Sequence, residues 1–272
     1  KTRRDFDTIA TGPRQCREPI LTRHRYNPSD TTNTTLISFG VDTDIVVPSL
    51  RGDEDDHERS RNIATKRATS LATVRRIRRG VKWKRFVREY WTDAACDEDG
   101  RNAAGAILIY DATVQRRERA VFCGPYACSY RAESLTILEA TNMIREEVQN
   151  RQPRSFRGRT FLIASDSRSE ISALSVGPLS QRNPHSTHTW QNLMAIASCG
   201  VKVHMQFVYA HCGVRRNEEV DDRAKHFRER ITSLPQQLHV ETSLTDISTW
   251  MRTRMRIAWR TTTIPGDGRA HV

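Results

Sequence analysis

From residue 86 onward, apolar residues fall into two rhythms. Some stretches are short runs or alternations, and others carry an apolar residue every three or four positions. FVREYWTDAA (86–95), AAGAILIYDA (103–112) and QRRERAVFCG (115–124) read as strands, with the polar turn DEDGRN between the first two. Three strands this close together predict an antiparallel meander. YRAESLTILEATNMIREEVQNR (130–151) has the helical period, with Ala132, Leu135, Leu138 and Met143 marking its apolar side. RTFLIASDS (159–167) is apolar without a break, as a parallel strand covered on both faces would be. SRSEISALSV predicts a short helix stopped by Gly177-Pro178, and HSTHTWQNLMAIASCG predicts another, with Gly200 as its C-cap. VKVHMQFVYAH (201–211) alternates and predicts a strand. Residues 217–233 predict a last helix striped by Val220, Ala224, Phe227 and Ile231. The order β-β-β-α-β-α-α-β-α predicts an α/β unit, a mixed sheet with helices on both faces.

The flanks are less legible. LISFGVDTDIVVPSL (36–50) has strand-like β-branched content but no evident partner. RGDEDDHERS reads as an acidic loop. Its Asp53, Glu54, Asp55 and Asp56 fit a solvated turn better than a metal site, because neighbours in sequence rarely converge on one ion. Leu71, Val74, Ile77 and Val81 recur at helical spacing, with Arg75, Arg76, Arg78 and Arg79 around them. That pattern predicts a basic amphipathic helix ended by Gly80. A second basic, helix-like segment surrounds Trp250–Trp259 and carries no motif. The expected organisation is an N-terminal extension with a basic helix or linker (1–85), a folded unit (86–233) and a C-terminal extension (234–272).

Charge sharpens this picture. The chain of 272 residues has 44 Lys+Arg against 32 Asp+Glu, a net charge of +12. Residues 59–88 hold twelve basic residues and no acidic one, so the remaining 32 basic residues balance the 32 acidic ones. One thirty-residue block therefore carries the whole excess. Such a block reads as a polyanion contact, because each Lys or Arg near a phosphate releases a counterion; a solvated linker is the competing reading. Arg75, Arg76, Arg78, Arg79, Lys82 and Lys84 are the candidate nucleic-acid contacts. Six scattered Cys with no CxxC pair argue against a zinc finger and for free thiols in a reducing compartment, nuclear or cytoplasmic. No apolar run approaches the roughly 20 residues of a membrane span. The chain starts at Lys1, without an apolar signal core, which reads as a piece of something longer or as the product of a cleaved targeting sequence.

Four carboxylates fall where a mixed sheet gathers residues. Asp93 lies on the first strand and Asp166 closes the fourth, so pairing of these two strands makes them neighbours. Glu133 opens the long helix and Asp221 opens the last one. Taken singly, Glu133 and Asp221 complement helix dipoles and Asp166 caps a helix. Asp93 is harder to dismiss, because Tyr90-Trp91 beside it read as buried. His185, His188 and His204 are read as structural, Cys212 as no nucleophile partner for His211, and Trp190, Trp250 and Trp259 as core or interface anchors.

TDAA, YRAE, ASDS and HCGVRRNEEVDD, in that order and spacing, resemble the ribonuclease H family. QFVYAHCGVRRNEEVDDRAK and DSRSEISALSVGPLSQRNP are similar to the RNase H domains of non-LTR retrotransposons, particularly the trypanosomatid ingi type. The likeness covers about 88–233, roughly half the chain. It implies an RNase H-like mixed five-stranded sheet in the order 3-2-1-4-5. It implies Asp93, Glu133, Asp166 and Asp221 as metal ligands and His211 as a loop His aiding proton transfer or product release. It implies two Mg²⁺ about 4 Å apart, with Mn²⁺ as a substitute, held by hard oxygen ligands. The implied substrate is the RNA strand of an RNA–DNA hybrid, and the implied partner a reverse transcriptase domain of the same polyprotein. Ala94 stands where the family often has Gly, Asp222 competes with Asp221, and the basic protrusion of some cellular members is missing. Residues 59–88 are the expected compensation. The competing expectation is a catalytically silent, retroelement-derived domain serving as a nucleic-acid-binding or structural subunit of a ribonucleoprotein.

Overall fold

The computed structural model describes residues 35–41, 56–81, 86–97, 102–111, 116–124, 127–150, 153–231 and 244–262. Six strands form one mixed sheet: β1 (Ile37–Gly40), β2 (Phe86–Cys96), β3 (Ala103–Asp111), β4 (Arg116–Gly124), β5 (Thr160–Ser165) and β6 (Lys202–Phe207). Their order across the sheet is β1-β6-β5-β2-β3-β4. The β2-β3-β4 meander is antiparallel, while β5 runs parallel to β2, β6 to β5 and β1 to β6. The six helices are α1 (Asp56–Gly80), α2 (Ser129–Asn150), α3 (Arg168–Ser175), α4 (Pro184–Ser198), α5 (Arg215–Ile231) and α6 (Leu244–Thr262).

The α/β class is as expected, but five strands become six. Ile37–Gly40 adds to the edge of β6, with Val203 N donating to Leu36 O at 3.0 Å and Ser38 Oγ lying 2.6 Å from His204 Nδ1. Its partner lies 166 residues away in sequence, beyond the reach of any local pattern. Gly40 leaves space for the Gln206 side chain, which a Cβ there would displace.

Strand alternation builds two cores. Tyr90, Ile107, Ile109, Phe161 and Ile163 point to one face, where they meet Ile137 of α2, Leu174 of α3 and Trp190 of α4. Trp91, Leu108, Leu162 and Ala164 point to the other, where they meet Val74 of α1 and Val220, Ala224 and Phe227 of α5. Successive strand residues face opposite ways, so each central strand feeds both layers.

Several expectations are corrected. The first described helix begins at Asp56, inside the segment expected to be an acidic loop, and Asp53, Glu54 and Asp55 lie outside the described residues. Rather than standing apart as an extension, α1 shares the second core across the boundary expected at residue 85. Arg78 of α1 and Arg216 of α5 both pair with Glu89 of β2, and Trp91 Nε1 donates to the same carboxylate at 3.0 Å. Burial raises the Glu89 carboxyl, but the Arg78 hydrogen bond and the Arg216 charge outweigh it and hold the group below its ordinary value. The buried side of α2 runs through Ala132, Ile137, Ala140, Ile144 and Val148, not through Leu135, Leu138 and Met143, which are only half-buried. Trp190 is a core residue, whereas Trp259 is 73% exposed on α6, together with Met251 and Met255. Cys96, Cys123, Cys128, Cys199 and Cys212 are free thiols. No helix among the described residues is long and apolar enough to cross a membrane.

Candidate metal centre

Strand pairing starts the site. β2 and β5 run parallel with Trp91 opposite Ala164 and Thr92 opposite Ser165. The next step of that register sets Asp93 beside Asp166, which follows the last residue of β5. Asp93 is 7% exposed, and Ala94 N donates to its Oδ1 at 2.6 Å.

Glu133 arrives on the first turns of α2, with Ser129 Oγ donating to its Oε1 at 3.0 Å. The helix can approach the sheet here because β3 has Gly105, directly opposite Ala94. A Cβ on Gly105 would overlap Thr136 Oγ1, one turn beyond Glu133. The absent side chain thus sets the depth at which the Glu133 helix sits.

Asp221 arrives on α5, half-buried, while its neighbour Asp222 is exposed. Lys225 Nζ donates to Asp221 Oδ2 at 2.6 Å, one turn further along the helix. His211 Nδ1 is 3.7 Å from the same oxygen, with a side chain 73% exposed. His211 has φ +48° and Gly213 φ +79°, so two left-handed residues shape the loop.

Charge joins the four carboxylates. Burial, followed by the Asp166 charge and then by Asp221 and Glu133, pushes Asp93 up to about 8 from an ordinary 3.8. Burial also raises Asp166, to about 6, with the charges of Glu133 and Asp221 adding to it and a hydrogen bond from Asn217 opposing. Asp221, not Asp222, is among the principal causes of both shifts, which favours Asp221 as the fourth member. No protein-family model matches the chain, and no curated protein does. The chemistry of the site therefore rests on its own geometry.

Two residues emerge that were not singled out from the sequence. Asn217 is 2% exposed and its Nδ2 donates to Asp166 Oδ2 at 3.3 Å. Glu218 accepts from Gly213 N at 3.0 Å. Among the described residues, His211, Glu218 and Asp221 are the one group with ligand atoms all within 4.8 Å of one another. No three of the four predicted carboxylates lie that close together. Sequence spacing held a usable signal for Glu218, which sits one turn before Asp221 and shares its face. Nothing in the local pattern marks Asn217.

The basic candidates separate. Arg75, Arg76 and Arg79 are exposed on α1, while Arg78 is committed to Glu89. Lys82 and Lys84 lie outside the described residues. His204 bonds Ser38 and Gln206, as a structural His does.

Proposed function

We propose that the chain is a metal-dependent endoribonuclease of the RNase H type, cutting the RNA strand of RNA–DNA hybrids in a reverse-transcription setting. The observation that carries this reading is the convergence of Asp93, Glu133, Asp166 and Asp221, from four different elements, on one end of the sheet. Their donor set is all oxygen, which suits a hard divalent cation such as Mg²⁺. The raised Asp93 and Asp166 mark an excess of buried negative charge that a cation would relieve. Asp93 and Asp166 would hold it from the sheet, Glu133 and Asp221 from the helices. A bound divalent cation would supply an activated water and charge on the leaving oxygen.

The chain's own residues have distinct tasks in this reading. Asn217 orients the Asp166 carboxylate and keeps it ionised. Lys225 fixes the rotamer of Asp221 and partly neutralises it. His211, exposed on its loop and within reach of Asp221, is placed to exchange a proton with a phosphodiester oxygen or to ease product departure. The hybrid substrate and the reverse-transcriptase partner rest on the sequence resemblance, and 2′-hydroxyl contacts would discriminate RNA from DNA.

The test is cleavage of a hybrid labelled on each strand, with Mg²⁺ or EDTA, beside Asp166→Asn. The expected result is cutting of the RNA strand alone, lost with EDTA and lowered at least about a thousandfold in the variant, the scale of removing several kcal/mol of transition-state stabilisation. A parent protein that binds hybrid but cuts neither strand would instead support the silent nucleic-acid-binding module.

A further inference from the structure

A groove of about 610 Å³ runs between α1 and the His211 loop. Ile63, Arg67, Leu71 and Arg75 line it from the helix, His211 and Cys212 from the loop. We propose that this groove is a track for the phosphate backbone of the bound nucleic acid beyond the cleavage position, with Arg67 and Arg75 as its phosphate-binding groups. The proposal rests on the nucleic-acid part of the reading above but not on catalysis.

Three observations choose this occupant. The first is charge: α1 holds eight Lys and Arg against two acidic residues. Arg67 and Arg75 are exposed and, among the described residues, make no ion pair, unlike Arg78. The second is continuity. The groove ends at His211, whose imidazole is 3.7 Å from Asp221, so a strand lying in it leads to the carboxylate cluster. The third is length. Arg67 and Arg75 are eight residues apart on one helix, a rise of about 12 Å. One strand of a duplex presents a phosphate about every 3.4 Å along its axis, so the pair spans three or four phosphates.

The wall is also built to stay in place. Tyr209 N donates to Ser70 Oγ at 3.0 Å, so α1 holds the start of the His211 loop directly. The Arg67 side chain lies beside Gly213 of that loop. Helix and loop therefore move as one wall, and the groove is shaped before anything binds, which lowers the ordering cost of binding.

The experiment is equilibrium binding of a fluorescent RNA–DNA hybrid to the full chain in Ca²⁺ and in EDTA, across a salt series, followed by cleavage in Mg²⁺. The groove pair Arg67→Ala/Arg75→Ala is compared with Arg59→Ala/Arg61→Ala, which removes equal charge from exposed positions of α1 outside the groove. Thermal melts confirm that both remain folded. The groove pair should weaken hybrid binding at least tenfold. It should also lower the slope of log Kd against log salt by about two, near 0.9 for each phosphate no longer neutralised. The control pair should weaken binding less than threefold. Equal losses in both pairs, or hybrid affinity unchanged in the groove pair because the groove takes a peptide, would overturn the proposal. Parent cleavage is read separately. Cutting with no groove effect sinks the track alone, and a groove effect without cutting sinks the nuclease alone.

Discussion

At the scale of single residues, the site is a problem of keeping carboxylates ionised where burial opposes it. Burial and the neighbouring carboxylates raise Asp93 to about 8, whereas Asp166 is restrained at about 6 by the Asn217 amide. Asn217 does this from a nearly closed position, with its own Oδ1 unpartnered. Asn217→Ala removes one hydrogen bond to a charged group, worth about 1.5–3 kcal/mol. Asp166 then rises further. A carboxylate that must be ionised to hold a cation works only above its pKa, so the acid limb of the pH–rate profile moves to higher pH. Cleavage at neutral pH falls roughly tenfold, which corresponds to about 1.4 kcal/mol. A folded Asn217→Ala protein with an unmoved acid limb would remove Asn217 from the machinery.

At the scale of elements, placement depends on close approach. α2 brings Glu133 to the site at a depth set by Gly105, and no flexible side chain can yield there, because Thr136 is short, buried and bonded to Ala132 O. Gly105→Val forces α2 off β3 and overpacks the core, a cost of about 1–3 kcal/mol. Hybrid cleavage should fall far more than stability does, by about a hundredfold, since misplacing a ligand by an ångström is that damaging. The comparison of melting temperature with cleavage rate decides it, and parallel losses would reduce Gly105 to a packing residue. This placement is partly legible in the sequence. The strands of the meander, the β5 run and the α2 and α5 periods are readable because burial on one or both faces imposes a period. The apolar side of α2 is misleading in sequence because Leu135, Leu138 and Met143 are as apolar as Ile137 and Ile144, and only packing against the sheet decides which set is buried. β1 is illegible as a partnered strand because its pairing is non-local. The period of Leu71, Val74 and Ile77 makes α1 legible as a helix, and Val74 packs into the second core, but its polar links to the unit, Arg78 on Glu89 and Ser70 on Tyr209 N, are non-local and no hydrophobic period reports them.

At the scale of the whole molecule, the site is a standing cost to the fold, and its sign can be worked out. A carboxyl whose folded pKa lies above its unfolded value binds more protons in the folded state, so stability falls as pH rises between the two values. For Asp93 that interval runs from 3.8 to about 8, and Asp166 adds a smaller fall that ends near 6. Glu89 has the opposite sign, but its stabilisation is complete above its ordinary 4.5 and does not offset the fall through neutral pH. The protein in EDTA should therefore melt lower at pH 8 than at pH 5.5, by on the order of 5 °C for a domain of this size. Mg²⁺ should restore the loss, and restore more at pH 8, because it competes with protons for the same oxygens. Asp93→Asn should flatten the slope in EDTA and abolish the Mg²⁺ effect together. Separate responses, such as a flattened slope with full Mg²⁺ stabilisation, would show that the cation sits elsewhere, with the His211–Glu218–Asp221 group the next place to test.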